Sequence, residues 1–266
     1  MLPQDDLCVV SPFSAGRRGK QVHKLKLLGE LGPDKLLSMG KRQGYGQFCP
    51  ISRAAEILTT RWTPLVVREL YFGSTRYAEL RRGLPRISSA LLSQRLKELE
   101  HNGIVRCERT EGGSGNDYRL TEAGLALFPI LESMGRWAQE HSRDDLTRDE
   151  NLDSDLLMWS IRRRVTSEGI PGDQPFVVSF HFLGVPMQRS RFWLLFRDGE
   201  VEICVRTPDY GIGLAVTAHI RTMTQIWLGH LPLDKAIRKR ELLLEGDRTN
   251  VKAFSRWFNL SVLAIR

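Results

Sequence analysis

The stretch RISSALLSQRLKELEHNGIVR, Arg86–Arg106, decides how the chain is read. Ser88 suits a helix cap, because its hydroxyl can accept from a backbone N–H that a first turn leaves unpaired. Leu92, Leu96 and Leu99 follow at i, i+4 and i+7, which makes one buried stripe. Gly103 ends the helix. The opposite side carries Ala90, Gln94, Lys97 and His101, flanked by Ser93 and Glu98. Folding alone shows no need for Ser89, Ser93, Gln94, Arg95 and Lys97 on the polar side. Beyond Gly103 the period becomes two. IVRCERT (104–110) and DYRLT (117–121) both alternate, and the glycine-rich EGGSGN (111–116) between them reads as a hairpin tip.

Upstream, PISRAAEILTTRW (50–62) sets Ala54, Ala55, Ile57, Leu58 and Trp62 on one helical face. TPLVVRELYFG (63–73) gives a second helix, with Thr63 as cap, Pro64 at the first helical position and Gly73 past the end. TRYAELRRGLP (75–85) is a third, stopped at Gly83-Leu84-Pro85. A short glycine–proline turn then leads into the opening stretch. Helix, turn, helix and hairpin in this order predict a winged helix-turn-helix, with a recognition helix over 88–102 and a wing over 104–120. A helix fits the DNA major groove, where side chains near its amino end reach base edges. Ser89, Ser93, Gln94 and Lys97 are the candidate base readers. Arg76, Arg81, Arg82, Arg86, Arg95, Arg106, Arg109 and Arg119 fall where phosphates would run. The expected partner is a double-stranded DNA operator. After the wing, Thr121 caps a last helix, with Leu125, Phe128, Leu131, Met134 and Trp137 as its apolar stripe and Pro129 as a kink.

The whole chain has room for two units at 266 residues, and its formal charge of +8 leans toward an anionic partner. The excess is uneven. Residues 1–48 hold 8 Lys/Arg against 4 Asp/Glu, residues 49–143 hold 14 against 11, and residues 144–266 hold 17 against 16. Residues 1–48 read as a poorly ordered arm, 49–143 as the DNA-binding and dimerisation unit, and the acidic 144–155 as a linker. Four cysteines lie far apart, so a reducing compartment is expected. With no signal-peptide pattern at the start and no long apolar run, a cytoplasmic location and no membrane are expected.

The second half changes character. LLMWSIRRRVT (156–166) is a helix, and PFVVSFHFL (175–183), SRFWLLFRD (190–198), GEVEICVRT (199–207) and GIGLAVTAHI (211–220) are strand-like. Asp198-Gly199 supplies a hairpin turn. RTMTQIWLG and PLDKAIRKR are helical, ELLLEGD is a short strand, and TNVKAFSRWF is a closing helix. The fold class is therefore α+β: a winged helix-turn-helix followed by a separate α+β unit over 156–266.

Two resemblances add to this. FCPISRAAEILTTRWTPLVVRELYFGSTRYAELRRGLPRISSALLSQRLKELEHNGIVR with YRLTEAGLALFPILESMGRWA closely resembles the HxlR-type family of bacterial transcriptional regulators, over about residues 48–141. Its marks include Cys49-Pro50, Arg61-Trp62, Ile87-Ser88, Arg95-Leu96, Leu99-Glu100, Gly103 and Leu120-Thr121-Glu122-Ala123-Gly124. The resemblance implies a homodimer on a pseudo-palindromic operator, joined through helix 121–141 with help from the first helices. That gives Leu125, Phe128, Leu131, Met134 and Trp137 a dimerisation role beside the plainer one of core. The wing is more glycine-rich and less basic than the family's usual. Some relatives sense oxidants through a cysteine at the place of Cys49, and a helix amino end favours a thiolate. Cys49 is thus a candidate redox sensor, with packing at a dimer interface as the plainer reading.

Residues 151–266 resemble, less strongly, the sterol carrier protein-type fold, through GIGLAVTAHIRTMTQIWLGHLPLDKAIRKRELLLEGD. That implies a curved sheet covered by helices over an apolar cavity. Trp159, Phe180, Phe182, Trp193, Leu195, Ile226, Trp227 and Trp257 are the candidate lining for a small apolar effector. The sequence holds no G-x-S-x-G, H-E-x-x-H or P-loop, and its six histidines share no ligand spacing, so no enzyme, metal or cofactor is expected. The competing reading is a hydrophobic-ligand carrier whose helical half mainly dimerises.

Overall fold

The computed structural model describes residues 44–109, 115–166, 170 and 174–265. Most of the N-terminal arm, Cys8 and most of the wing tip lie outside the described residues. The first unit holds helices α1 (Pro50–Leu58), α2 (Thr63–Tyr71), α3 (Tyr77–Gly83) and α4 (Ser89–His101). Strands β1 (Val105–Arg109) and β2 (Asn116–Leu120) pair antiparallel as the wing, followed by α5 (Glu122–Leu125) and α6 (Phe128–His141). Its core is Val66, Val67 and Leu70 of α2, Leu80 and Leu84, the α4 stripe Leu92, Leu96 and Leu99, and Ile104, Val105 and Tyr118 of the wing. This is a winged helix-turn-helix.

Local chemistry explains the element ends. Ser88 caps α4, its hydroxyl accepting from Leu91 N. Gly103 takes φ 70°, a left-handed conformation that costs a glycine little, and so releases the chain into β1. Thr63 does not cap α2. Trp62 holds that place with a left-handed backbone, and Thr63 is the first helical residue, 3% exposed. The predicted helix over 121–141 is two helices. Thr121 caps α5, accepting from Gly124 N, and the chain turns at Ala126-Leu127 before α6 starts with Pro129 in its first turn. Proline is tolerated there because that N–H has no intrahelical acceptor.

The second unit follows short helix α7 (Arg143–Leu146) and a 3-10 turn at Asp149–Asn151. Helix α8 (Ser154–Arg162), capped by Asp153, precedes β3 (Phe176–Leu183), β4 (Arg191–Arg197), β5 (Glu200–Cys204) and β6 (Ile212–His219). Then come α9 (Ile220–Trp227), α10 (Leu233–Arg238), β7 (Leu242–Gly246) and α11 (Arg248–Trp257). The sheet order is β5-β4-β3-β6-β7, antiparallel except where β3 runs parallel to β6. Phe176, Val178, Phe180 and Phe182 alternate onto the face that α8, α9 and α11 share in one core with Phe192, Leu194, Leu214, Ile226 and Trp257.

The two units meet over a buried carboxylate. Glu69 of α2 is 0% exposed. It accepts from Arg68 Nη2 at 2.8 Å, Arg163 Nη1 at 2.8 Å and Trp159 Nε1 at 3.1 Å, so α8 is fastened to α2. Gly83 permits this, since a Cβ there would stand 1.8 Å from Glu69 Oε2. The expected linker is also tied to both sides. Arg86 donates to Glu150 O at 3.0 Å, and Arg221 Nη2 to Asp149 Oδ1 at 2.6 Å. Gln139 of α6, 5% exposed, donates to Leu263 O at 2.8 Å in the C-terminal tail.

Candidate nucleic-acid interface

Helix α3, the turn at Leu84–Ile87 and helix α4 set one polar face toward solvent. The α4 stripe is sunk in the core, which fixes the helix's rotation. Ala90, Gln94, Lys97 and His101 are then exposed, with Ser93 half-buried. Two of the predicted readers are held from α3. Tyr77 donates through its hydroxyl to Ser89 O at 2.9 Å and accepts from Ser93 Oγ at 3.5 Å. Arg81 hydrogen-bonds Ser89 Oγ. Gln94 Nε2 donates to Glu98 Oε1 at 3.1 Å, and Lys97 points to solvent. Tyr77 was missed by the sequence reading. Its place at the start of α3, a whole helix before the bend, gives no sign that its hydroxyl reaches α4.

The eight arginines expected at phosphates divide. Arg95 does not face a phosphate. It is 9% exposed, donates to Arg61 O at 3.0 Å and pairs with Glu98. The cause is angular, because position 95 lies three after Leu92 and four before Leu99, on the stripe's own side. Arg86 is turned toward the second unit, with Asp153 at 3.8 Å besides Glu150 O. Arg82 lies over the Trp159 ring, 5.8 Å from its centroid. On the wing, Arg106 pairs with Glu108 at 2.9 Å, and Arg119 stands 3.7 Å from both Glu108 and Asp117. Arg76 reaches Asp117 at 3.7 Å. These wing-side arginines are about half exposed, and surface pairs of this kind contribute ~1 kcal/mol or less. Phosphate can therefore replace the carboxylates. Arg109 is exposed and has no ion pair among the described residues.

The terminal helix also divides. Phe128 stacks on Tyr71, centroids 3.5 Å apart, and Leu131 packs on the first unit's core. Leu125, Met134 and Trp137 are 50%, 52% and 60% exposed, and Ile130 joins them at 45%. Ile130, Met134 and Trp137 form a second stripe at i, i+4 and i+7, with Gly135 turned inward against Leu263. Cys49 precedes α1 and is half-buried.

The candidate effector lining is dispersed. Phe180, Phe182, Ile226 and Trp257 are filled core. Trp193 and Leu195 point to the other sheet face, beside Val177. Trp159 is spent on Glu69. Of the eight, only Trp227 lines a cavity of about 410 Å³ between α2, α8, α9 and the C-terminal tail. The resemblance implies a cavity inside the second unit, whereas this one lies at the junction of the two. Among the described residues no helix is long and apolar enough to cross a membrane.

Comparisons with known proteins bear on the first unit. A family described as HxlR-like helix-turn-helix matches residues 57–145. Over 96 residues the chain is 42% identical to "Uncharacterized HTH-type transcriptional regulator YvaP" of Bacillus subtilis (strain 168), covering 35% of this chain and 89% of that protein. It is 38% identical over 94 residues to "HTH-type transcriptional regulator YodB" of the same strain, covering 35% and 84%. The crystal structure of quinone-bound YodB from B. subtilis aligns at 36% identity and a TM-score of 0.31, over 35% of this chain and 98% of that one.

Proposed function

The chain belongs to the HxlR-like helix-turn-helix family, and from that premise we propose that it is a sequence-specific transcriptional regulator acting as a cytoplasmic homodimer on double-stranded DNA. One observation carries the DNA-reading part. The amino half of α4 presents hydrogen-bonding side chains that the core does not use, two of them held from α3, Ser93 by Tyr77 and Ser89 by Arg81. A polar helix face that is pre-positioned suits base edges in a major groove. Arg76, Arg81, Arg106, Arg109 and Arg119 flank it as phosphate contacts that orient without reading sequence.

The dimer rests on α6. A stripe of Ile130, Met134 and Trp137, with Leu125 near its start, is a large apolar surface for a monomer to leave in water. A second copy covers it in this reading. Residues 49–143 form the DNA-binding and dimerisation unit, and 156–266 a sterol carrier protein-like unit that answers an effector. Its support is the sheet with helices packed on one face.

Selection of bound fragments from random DNA tests the proposal. Two enriched half-sites are expected, with centres about 10–10.5 base pairs apart or a multiple of that. Affinity should fall steeply with salt as counterions are released. No enriched sequence, or affinity indifferent to salt, would overturn the reading. Replacing Met134 and Trp137 by glutamate should give a monomer in sedimentation and loss of the paired half-site requirement.

A further inference from the structure

The cavity at the junction belongs to neither the DNA-reading face nor the dimer stripe. We propose that it is an effector site for a small organic acid, a single carboxylate on an apolar body. The proposal rests on the regulator reading and names the ligand class for it.

The cavity's volume of about 410 Å³ falls within the few-hundred to ~1,000 Å³ of small-molecule sites. Phe72, Leu157, Trp227 and Leu263 give it apolar walls, and Arg68, Arg163 and Arg164 bring three cations to its lining. The balance of charge there is uneven. Arg68 and Arg163 share the single carboxylate of Glu69. Arg68 spends Nε and Nη2 on it, which leaves Nη1 without a partner among the described residues. Arg164 spends Nε on Leu260 O at 3.2 Å, and its two terminal nitrogens are likewise unpartnered among the described residues. Asp153, the acid in the lining, is engaged by the amino end of α8 and by Arg86. Burial pushes the Arg163 guanidinium below its usual range, and Arg68 and Arg162 push the same way against Glu69.

Cations outnumber carboxylates beside a fully buried Glu69 and an Arg163 that is 13% exposed, so an anion gains more here than among fully exposed arginines. A carboxylate offers two oxygens to guanidinium N–H groups in matching geometry. A neutral hydrocarbon would fill the apolar walls yet leave these donors desolvated. A polyphosphate would match the charge and leave the walls unused.

The position also supplies a route to the DNA-binding face. Arg68 belongs to α2 and Phe72 caps its end, whereas Leu157, Arg163 and Arg164 belong to α8 and its end. A ligand touching both can shift any arrangement in which their spacing differs, by as much as its affinities for the two arrangements differ.

Calorimetric titration of the full chain without DNA tests the site, using 2-naphthoate, indole-3-acetate and octanoate, with 2-naphthamide as the neutral counterpart of the first. At least one acid should bind saturably, and 2-naphthoate at least about tenfold tighter than its amide, the scale of one charged hydrogen bond. Arg164→Met should weaken acid binding about tenfold, and Ser160→Trp, which fills the cavity, should abolish it. Circular dichroism checks both variants, and if Ser160→Trp does not fold, Arg164→Met carries the decision. Acid and amide binding alike, an unaffected Arg164→Met, or no binding of any of the three acids would overturn the proposal. Operator titrations run separately keep the two readings apart. DNA binding without acid binding removes the effector site alone, and acid binding without DNA binding removes the regulator reading.

Discussion

Arginines gather in two regions of this protein, and the regions use them in opposite ways. On the wing, Arg106 and Arg119 stand beside Glu108 and Asp117 at 2.9–3.7 Å, with about half of each arginine and of Glu108 in water and Asp117 more sheltered. At the junction, Arg68 and Arg163 close on Glu69, which has no exposure at all. The chemistry of the pairs is the same, and desolvation separates them. A pair in water exchanges its carboxylate for a phosphate at little cost. A buried pair cannot lose one member without stranding the other. Wing arginines are therefore suited to transient contact with DNA, and junction arginines to fastening one unit to the other.

The sharpest way to break that contrast is Glu69→Ala. It leaves Arg163 buried with no counter-charge and Trp159 Nε1 with no acceptor, so a loss of about 3–5 kcal/mol is expected. Urea unfolding of the variant measures this. A loss under about 1 kcal/mol would mean that the junction tolerates separation. The next effect is on sequence discrimination. Gln94→Ala should remove about 1–3 kcal/mol of preference between the selected operator and a scrambled site. Competition titrations on both sequences read that difference, and unchanged preference would move the reading face away from Gln94.

Much of this was legible in the sequence, and what was not has a common cause. The caps at Ser88 and Thr121, the stripe at Leu92, Leu96 and Leu99, and the hairpin after Gly103 are local signals, and each stands where its residues indicate. Arg95 was also readable, because its spacing from Leu92 and Leu99 puts it on the buried side. The other shortfalls are non-local. Glu69 sits in RELY beside Arg68 like any surface acid, and its burial depends on Trp159 and Arg163, some 90 residues away. RFWLLF is apolar at every strand position from Phe192 to Phe196, so period two could not tell Trp193 and Leu195, on one face, from Phe192, Leu194 and Phe196 on the other. The cavity lies between units, where no single segment's pattern reports it.

Smaller effects sharpen the wing side of the comparison. Arg109→Ala should weaken all DNA sequences alike and reduce the slope of log affinity against log salt by about 0.9 if that side chain neutralises one phosphate. A changed preference with an unchanged slope would instead make Arg109 a reader of bases.

The smallest expected effect is the most telling partner to Glu69→Ala. Glu108→Ala removes a carboxylate that two arginines share, as the first variant does, but in water. Arg106 and Arg119 remain solvated, so stability should move by less than about 1 kcal/mol. DNA affinity should rise, because Arg106 loses the anion with which phosphate competes and Arg119 loses one of its two, keeping Asp117. That gain should shrink as salt screens the competing charges. Urea unfolding and operator titration at two salt concentrations give both readings from one variant. If Glu108→Ala cost as much stability as Glu69→Ala, exposure would not be what divides the two sets of arginines. If DNA binding fell instead of rising, Glu108 would be holding the wing arginines in place for DNA rather than competing with it.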